Sequence, residues 1–162
     1  MKICIVIPVM NKLQFTKQCL EDLNQTIDKT VEIIVIDNAS TDGTNEYIAT
    51  MKQIKLISNC SNKGCASSWN QGIRASSSEW IVILNNDVRL SKNWLDNLIE
   101  QANENSIDVI SPGMREGELD YNFNQYAVSY TEKMKNAFRE CTPSGVCFAV
   151  KNFVFTKAGL FD

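Results

Sequence analysis

At 162 residues and 44% hydrophobic, the chain is sized for one domain with a real core. A net charge of -3 without any cluster of Lys or Arg excludes the basic patch a nucleic-acid partner needs, and no apolar run nears the roughly 20 residues of a membrane span. There is no histidine, and the six cysteines include no C-x-x-C pair. Structural zinc and Ser-His or Cys-His catalysis are therefore set aside, and acid–base chemistry falls to carboxylates.

Residues 3–7 (ICIVI) form a β-type run that Pro8 is expected to end. Pro8 and the lack of a small-residue cleavage site exclude a signal peptide, so the protein reads as cytoplasmic. Asn11 is placed to cap a helix carrying Phe15, Cys19, Leu20, Leu23 and Ile27 at helical spacing. Residues 31–36 read as a buried strand. The turn-rich DNASTDG of residues 37–43 follows, then a helix over 44–51 presenting Tyr47, Ile48 and Met51. Residues 54–57 are a shorter strand. Asn62-Lys63-Gly64 turns into a helix carrying Ala66, Trp69 and Ile73, with small residues at its start that permit close approach to a ligand or another backbone.

The run 81–84 (IVIL) is short and β-branched, as in a strand buried on both faces, yet it ends on Asn85-Asn86-Asp87. A buried strand finishing on three polar residues implies that its carboxyl end opens into a crevice, where open α/β sheets bind ligands. Asp87 with neighbouring amide oxygens offers hard oxygen ligands to Mg2+ or Mn2+. Ser91 is a candidate N-cap for a helix over 93–103 with Trp94, Leu95, Leu98, Ile99 and Ala102 buried, and residues 107–110 close the alternation. Strand–helix repeated four times predicts a parallel α/β sheet with right-handed crossovers.

Residues 111–141 mix Gly, Asn, Tyr and Glu, with fragments of β alternation at 126–130 that suggest a hairpin or a flap over the crevice. Residues 145–150 read as a further strand and 152–158 as a helical turn. The cysteines (Cys4, Cys19, Cys60, Cys65, Cys141, Cys147) read as reduced packing residues, and Trp69, Trp80 and Trp94 as core. On the residues alone, Asp37 serves equally as a cap for the turn beginning at Asn38, while Asp87 has the alternatives of capping the turn before Arg89 or pairing with that Arg in a surface ion pair.

The stretches IVIPVMN at 5–11, IIVIDNASTDGT at 33–44, NKGCASSWNQGI at 62–73, WIVILNNDV at 80–88 and GVCFAVKNFVFTKAGLFD at 145–162, in this order, resemble family-2 glycosyltransferases. The resemblance covers nearly the whole chain. It implies the GT-A fold: a Rossmann-like, mostly parallel α/β sheet flanked by helices, forming a single domain. Residues 1–110 would be its nucleotide-sugar-binding half and 111–162 the start of the acceptor-side half. It further implies an inverting, metal-assisted enzyme of polysaccharide biosynthesis, taking a UDP- or dTDP-sugar donor to a glycan or glycoconjugate acceptor.

Carried onto this sequence, the resemblance puts Pro8, Val9 and Asn11 in one wall of the base pocket. Asp37, with Asn38 and Ser40, meets the base or ribose, and Asn62, Gly64 and Asn70 belong to the loop and helix around the nucleotide. Asn85 and Asn86 contact metal or ribose, and Asp87, the last carboxylate of the family's Asp-x-Asp motif, bridges Mn2+ or Mg2+ to the diphosphate. Only one carboxylate stands in Asn85-Asn86-Asp87, which implies weaker metal affinity. The family's general base lies in a Glu-Asp pair beyond the Gly-x-Phe-Asp stretch, and this chain ends at Asp162. The expectation is thus a truncated chain or donor-binding fragment, the alternative being a non-catalytic nucleotide-sugar-binding or partner-binding domain.

Overall fold

The structure, a computed structural model, describes residues 1–27, 30–118, 120–134, 137 and 143–162. Among them runs a six-stranded sheet in the order β3-β2-β1-β4-β6-β5. In chain order the elements are β1 (Ile3–Val9), α1 (Leu13–Thr26), β2 (Glu32–Asp37), α2 (Thr44–Ala49), β3 (Ile54–Ser58) and α3 (Cys65–Ala75). There follow β4 (Trp80–Leu84), α4 (Trp94–Glu104), β5 (Val109–Ile110), α5 (Phe123–Met134), β6 (Cys147–Lys151) and α6 (Asn152–Ala158). β1 pairs in parallel with β2 and β4, and β2 with β3, while β6 runs antiparallel to both β4 and β5. The expected parallel alternation therefore holds in direction for β1 to β5, and β6 alone opposes it from between β4 and β5.

The central strands are apolar on both faces because helices cover both. Ile5, Ile7, Val35, Val82 and Leu84 pack with Leu20 and Leu23 of α1 and Leu95 and Ile99 of α4. On the other face Cys4, Val6, Ile34, Ile36, Ile81 and Ile83 meet Ile73 of α3 and Phe148. Gly72 permits this second layer. A Cβ there would lie 2.8 Å from Val6 Cγ2 and closer still to Cγ1, so α3 rests almost on the sheet backbone.

Several local expectations are corrected. β1 does not stop before Pro8; it continues to Val9, paired with Asp37. Val9 turns its carbonyl toward β2, accepting from the Asn38 N–H at 2.8 Å. Pro8 therefore faces the β4 side, where pairing has already ended at Val6 and Ile83, and its missing donor breaks no ladder bond. Residues 126–130 are not β; they lie in α5, where Asn122 Oδ1 accepts the Gln125 N–H at 3.0 Å and Tyr126 stacks on Tyr130 at 5.5 Å. That pair is one helical turn apart, a spacing alternation mimics. Neither Asn11 nor Ser91 caps a helix with its side chain: the cap residues are Lys12 and Asn93, both left-handed. Phe15 is 52% exposed rather than part of the buried stripe.

Trp80 and Trp94 are buried, and Trp69 packs edge-on against Phe148 and Phe161. Five cysteines are free thiols, and Cys141 lies outside the described residues. Burial, the largest influence in each case, pushes the Cys4, Cys19 and Cys147 thiols up to about 12. Among the described residues no helix is long and apolar enough to cross a membrane.

Candidate functional site

The parallel strands β2, β1 and β4 all point their carboxyl ends at one edge. The register sets Val9 beside Asp37 and Asp37 beside Ser58, and β4 runs out at Leu84 on the far side of β1. Two strand spacings, about 10 Å, therefore separate the backbones leading to Asp37 and to Asp87. Both lie at the same edge of the sheet. A groove lined by Leu23, Ile27, Val31, Tyr47, Met51 and Ile54 opens at the amino ends of β2 and β3, away from them.

Asp37 is 2% exposed and organises the loop beyond it. Its Oδ1 accepts the Ser40 hydroxyl and the Ser40 N–H, the latter at 3.2 Å, and Oδ2 accepts Asn45 Nδ2 at 2.9 Å. Asn45 also donates to Ser58 Oγ at 2.6 Å. Ser40 Oγ in turn accepts the Asn11 N–H at 2.7 Å, and Asn11 Oδ1 accepts the Thr41 N–H at 2.8 Å. The segments after β1 and β2 are thereby laced together, with Asn11, Lys12 and Ala39 held at positive φ. The Asp37 carboxylate faces its own loop, the contact that the turn-capping alternative describes, and a nucleobase N–H would reach it only through the lone pairs those donors leave.

Asn38, also buried, ties this loop to the next. Its Nδ2 donates to Ser68 Oγ at 2.7 Å, and its Oδ1 accepts Asn59 Nδ2 at 2.9 Å. Asn62 Oδ1 accepts the Gly64 N–H at 2.9 Å, closing the expected turn. Gly64 has φ of 80° with open space around its missing Cβ, so backbone conformation rather than packing calls for glycine. Asn62 and Gly64 are exposed beside Met10, whose Sδ accepts Asn62 Nδ2. Asn70 is placed differently: its amide donates to the Phe161 carbonyl at 2.7 Å and accepts the Phe161 N–H at 3.1 Å. It fastens the segment after α6 onto α3.

At the end of β4, the Asn85 N–H donates to the Val146 carbonyl at 2.9 Å, and Asn86 Nδ2 donates to Thr16 Oγ1 at 2.9 Å. Asp87 is exposed, and among the described residues no hydrogen bond or ion pair engages its carboxylate. Arg89 pairs with Asp22 rather than with Asp87. The charge of Asp87 is felt at Cys19, where it adds to burial and Asp22 in raising the thiol. Among the described residues no group of three or more His, Cys, Asp or Glu side chains converges to hold a metal. A single free carboxylate fits Mg2+ or Mn2+ only where substrate phosphates supply further ligands, which is the usual manner for Mg2+.

Thr16, Asp22, Asn45, Ser58 and Asn59 all support this edge and escaped sequence reading. Only Asn45 carried a hint, as a polar residue in the first turn of the helix after the Asp37 loop.

The model of glycosyl transferase family 2 matches residues 4–158. The glycosyltransferase GlyG of Streptococcus pneumoniae is 26% identical over 112 residues, covering 67% of this chain and 37% of that protein. The mannosyltransferase PcManGT of Pyrobaculum calidifontis, solved with GDP-Man and Mn2+, superposes with a TM-score of 0.77 at 19% identity over 99% of this chain and 47% of its own. Residues 1–349 of S. aureus TarS, solved with UDP-GlcNAc, give 0.76 at 17% over 99% and 48%. The chain thus spans at most about half the length of each of these proteins. The likeness to the solved enzymes establishes the GT-A fold. With 155 of its residues, 4 to 158, inside the family model, the chain belongs to glycosyl transferase family 2.

Proposed function

We propose that this chain is the donor-binding part of an inverting glycosyltransferase, taking a UDP- or dTDP-sugar and passing the sugar to a hydroxyl of a glycan or glycoconjugate. The observation that carries the reading is Asp87: an exposed carboxylate without a partner among the described residues, at the carboxyl end of a fully buried strand. Family membership and the nucleotide sugars present in the solved PcManGT and TarS support it.

In this reading Pro8, Val9 and Asn11 wall the base. Asp37 acts chiefly by holding Ser40 and Asn45, and so keeps the shape of the loop that receives base and ribose. Asn62 and Gly64 edge the nucleotide on the side of α3. Asp87 would hold Mn2+ or Mg2+, with oxygens of Asn85 or Asn86 and of the diphosphate as further ligands. When bound, that cation neutralises charge building on the departing nucleoside diphosphate. Asn70 serves the site indirectly, by seating Phe161.

Titration with UDP and dTDP, with and without Mn2+, tests the proposal. Binding is expected to require Mn2+ for full strength. Asp87→Ala, which removes the ligand itself, is expected to weaken it at least as far as loss of a residue that orients one, about 10–100-fold or more. Binding indifferent to both metal and Asp87 would overturn it. The lone carboxylate at the metal position favours a second reading, a domain that binds nucleotide sugar without turnover. Donor hydrolysis or sugar transfer by the 162-residue chain excludes that alternative.

A further inference from the structure

The chain is fastened on both sides of Asp87, and both fastenings go to α1. Before it, Asn86 donates to Thr16 Oγ1 at 2.9 Å. After it, Arg89 Nε donates to Asp22 Oδ2 at 2.7 Å and Nη2 to Oδ1 at 3.3 Å, while the Leu90 N–H donates to the same Oδ2 at 3.0 Å. Thr16 and Asp22 are buried and stand six residues apart, about 9 Å along the helix. Residues 86–90 therefore cross α1 as a strap pinned at its ends, with Asp87 between the pins.

The second pin is not an ordinary surface ion pair. Asp22 is 4% exposed, the guanidinium contact is two-pronged, and a main-chain N–H shares the carboxylate. The guanidinium carbon also lies 4.6 Å from the centre of the Phe123 ring, at the first residue of α5. One arginine thus joins α1, the strap and the start of α5. An exposed pair would add little rigidity, whereas removing one partner of a buried pair leaves a charge without compensation.

We propose that Arg89, through Asp22, is a positioning residue that fixes where the Asp87 carboxylate stands relative to the diphosphate. The inference rests on the reading of Asp87 as the metal-holding carboxylate. Asp22 and Arg89 act by denying the strap other conformations.

The test compares UDP binding in Mn2+ with uridine binding for the wild-type chain, Arg89→Met, Arg89→Lys and Asp87→Ala, with thermal unfolding as the check on folding. Arg89→Met is expected to weaken UDP binding in Mn2+ about 10–100-fold, the range for residues that orient a metal ligand, and to leave uridine binding unchanged. Arg89→Lys keeps the charge without the planar fork and is expected to fall between. A folded Arg89→Met chain with wild-type UDP affinity overturns the inference, as does an equal loss for UDP and uridine. Should Arg89→Met not fold, wild-type UDP affinity in Arg89→Lys overturns it. If Asp87→Ala leaves wild-type UDP affinity and metal dependence untouched, the parent reading falls and this inference with it.

Discussion

Gly72 sets two principles against each other. Inside an exposed helix, Gly→Ala gains roughly 1 kcal/mol from helix propensity. Here the added methyl meets both Cγ atoms of Val6, a fully buried β-branched side chain with no free rotamer to retreat into. Overpacking of this kind costs about 1–3 kcal/mol, so the clash is expected to win. Gly72→Ala should unfold at lower denaturant, and Val6→Ala placed beside it should recover part of the loss. A more stable Gly72→Ala chain would show that α3 is not seated as described. At this scale the sequence was informative about placement: Asp37 and Asp87 stand where buried strands end. Asp22 and Thr16 gave no such sign, since their partners lie 67 to 70 residues away and nothing along α1 marks them as different from other polar positions.

Asp42 shows how elements are started from a distance. Its Oδ2 accepts the N–H of Leu13, the first residue of α1, at 2.9 Å, and its Oδ1 accepts the Thr44 N–H and hydroxyl at the start of α2. One carboxylate therefore caps two helices. These bonds, the Thr44 hydroxyl first, hold the Asp42 carboxyl below its ordinary value of 3.8. A depressed folded-state value means the contribution is complete above the unfolded value and is lost as pH falls through the folded one. Wild-type melting temperature is therefore expected to drop more steeply than that of Asp42→Asn between about pH 5 and pH 2. Parallel curves would count against the double cap. Sequence reading assigned the first of these caps to Asn11 because that residue is adjacent, yet the group that caps α1 arrives 29 residues later in the chain. In α5, Tyr126, Val128 and Tyr130 alternate with Ala127 and Ser129 as in a strand, while the Asn122 contact with Gln125 and the i, i+4 stack of Tyr126 on Tyr130 are those of a helix.

Across the whole molecule, Cys4 on β1, Cys19 on α1 and Cys147 on β6 sample both faces of the sheet, and all three are buried. With thiols pushed up to about 12, the reactive thiolate is scarce near neutral pH, and burial shields the sulfur besides. Cys60 and Cys65 are exposed. A maleimide is expected to label those two in the native protein. The three buried thiols should become reactive together at a single denaturant midpoint, as one cooperative unit requires. Labelling of Cys147 well before Cys4 would divide the sheet into separately opening parts. The class of fold was legible because β-branched runs alternate with helical stripes from residue 3 to residue 104. The direction and place of β6 were not, since CFAVK is equally apolar whichever way it runs.

That placement has a bearing on how the sheet comes together. Among the described residues β5 has one neighbour, β6, and β6 is made 37 residues after β5 ends, from 110 to 147. β1 to β4 can zip up in the order the ribosome delivers them, each new strand finding an edge already waiting. Val109 and Ile110 find none. They wait until a later segment docks against β4 and offers its outer side, so this border of the molecule is completed backwards, and its last rung carries the entropy of closing that long loop.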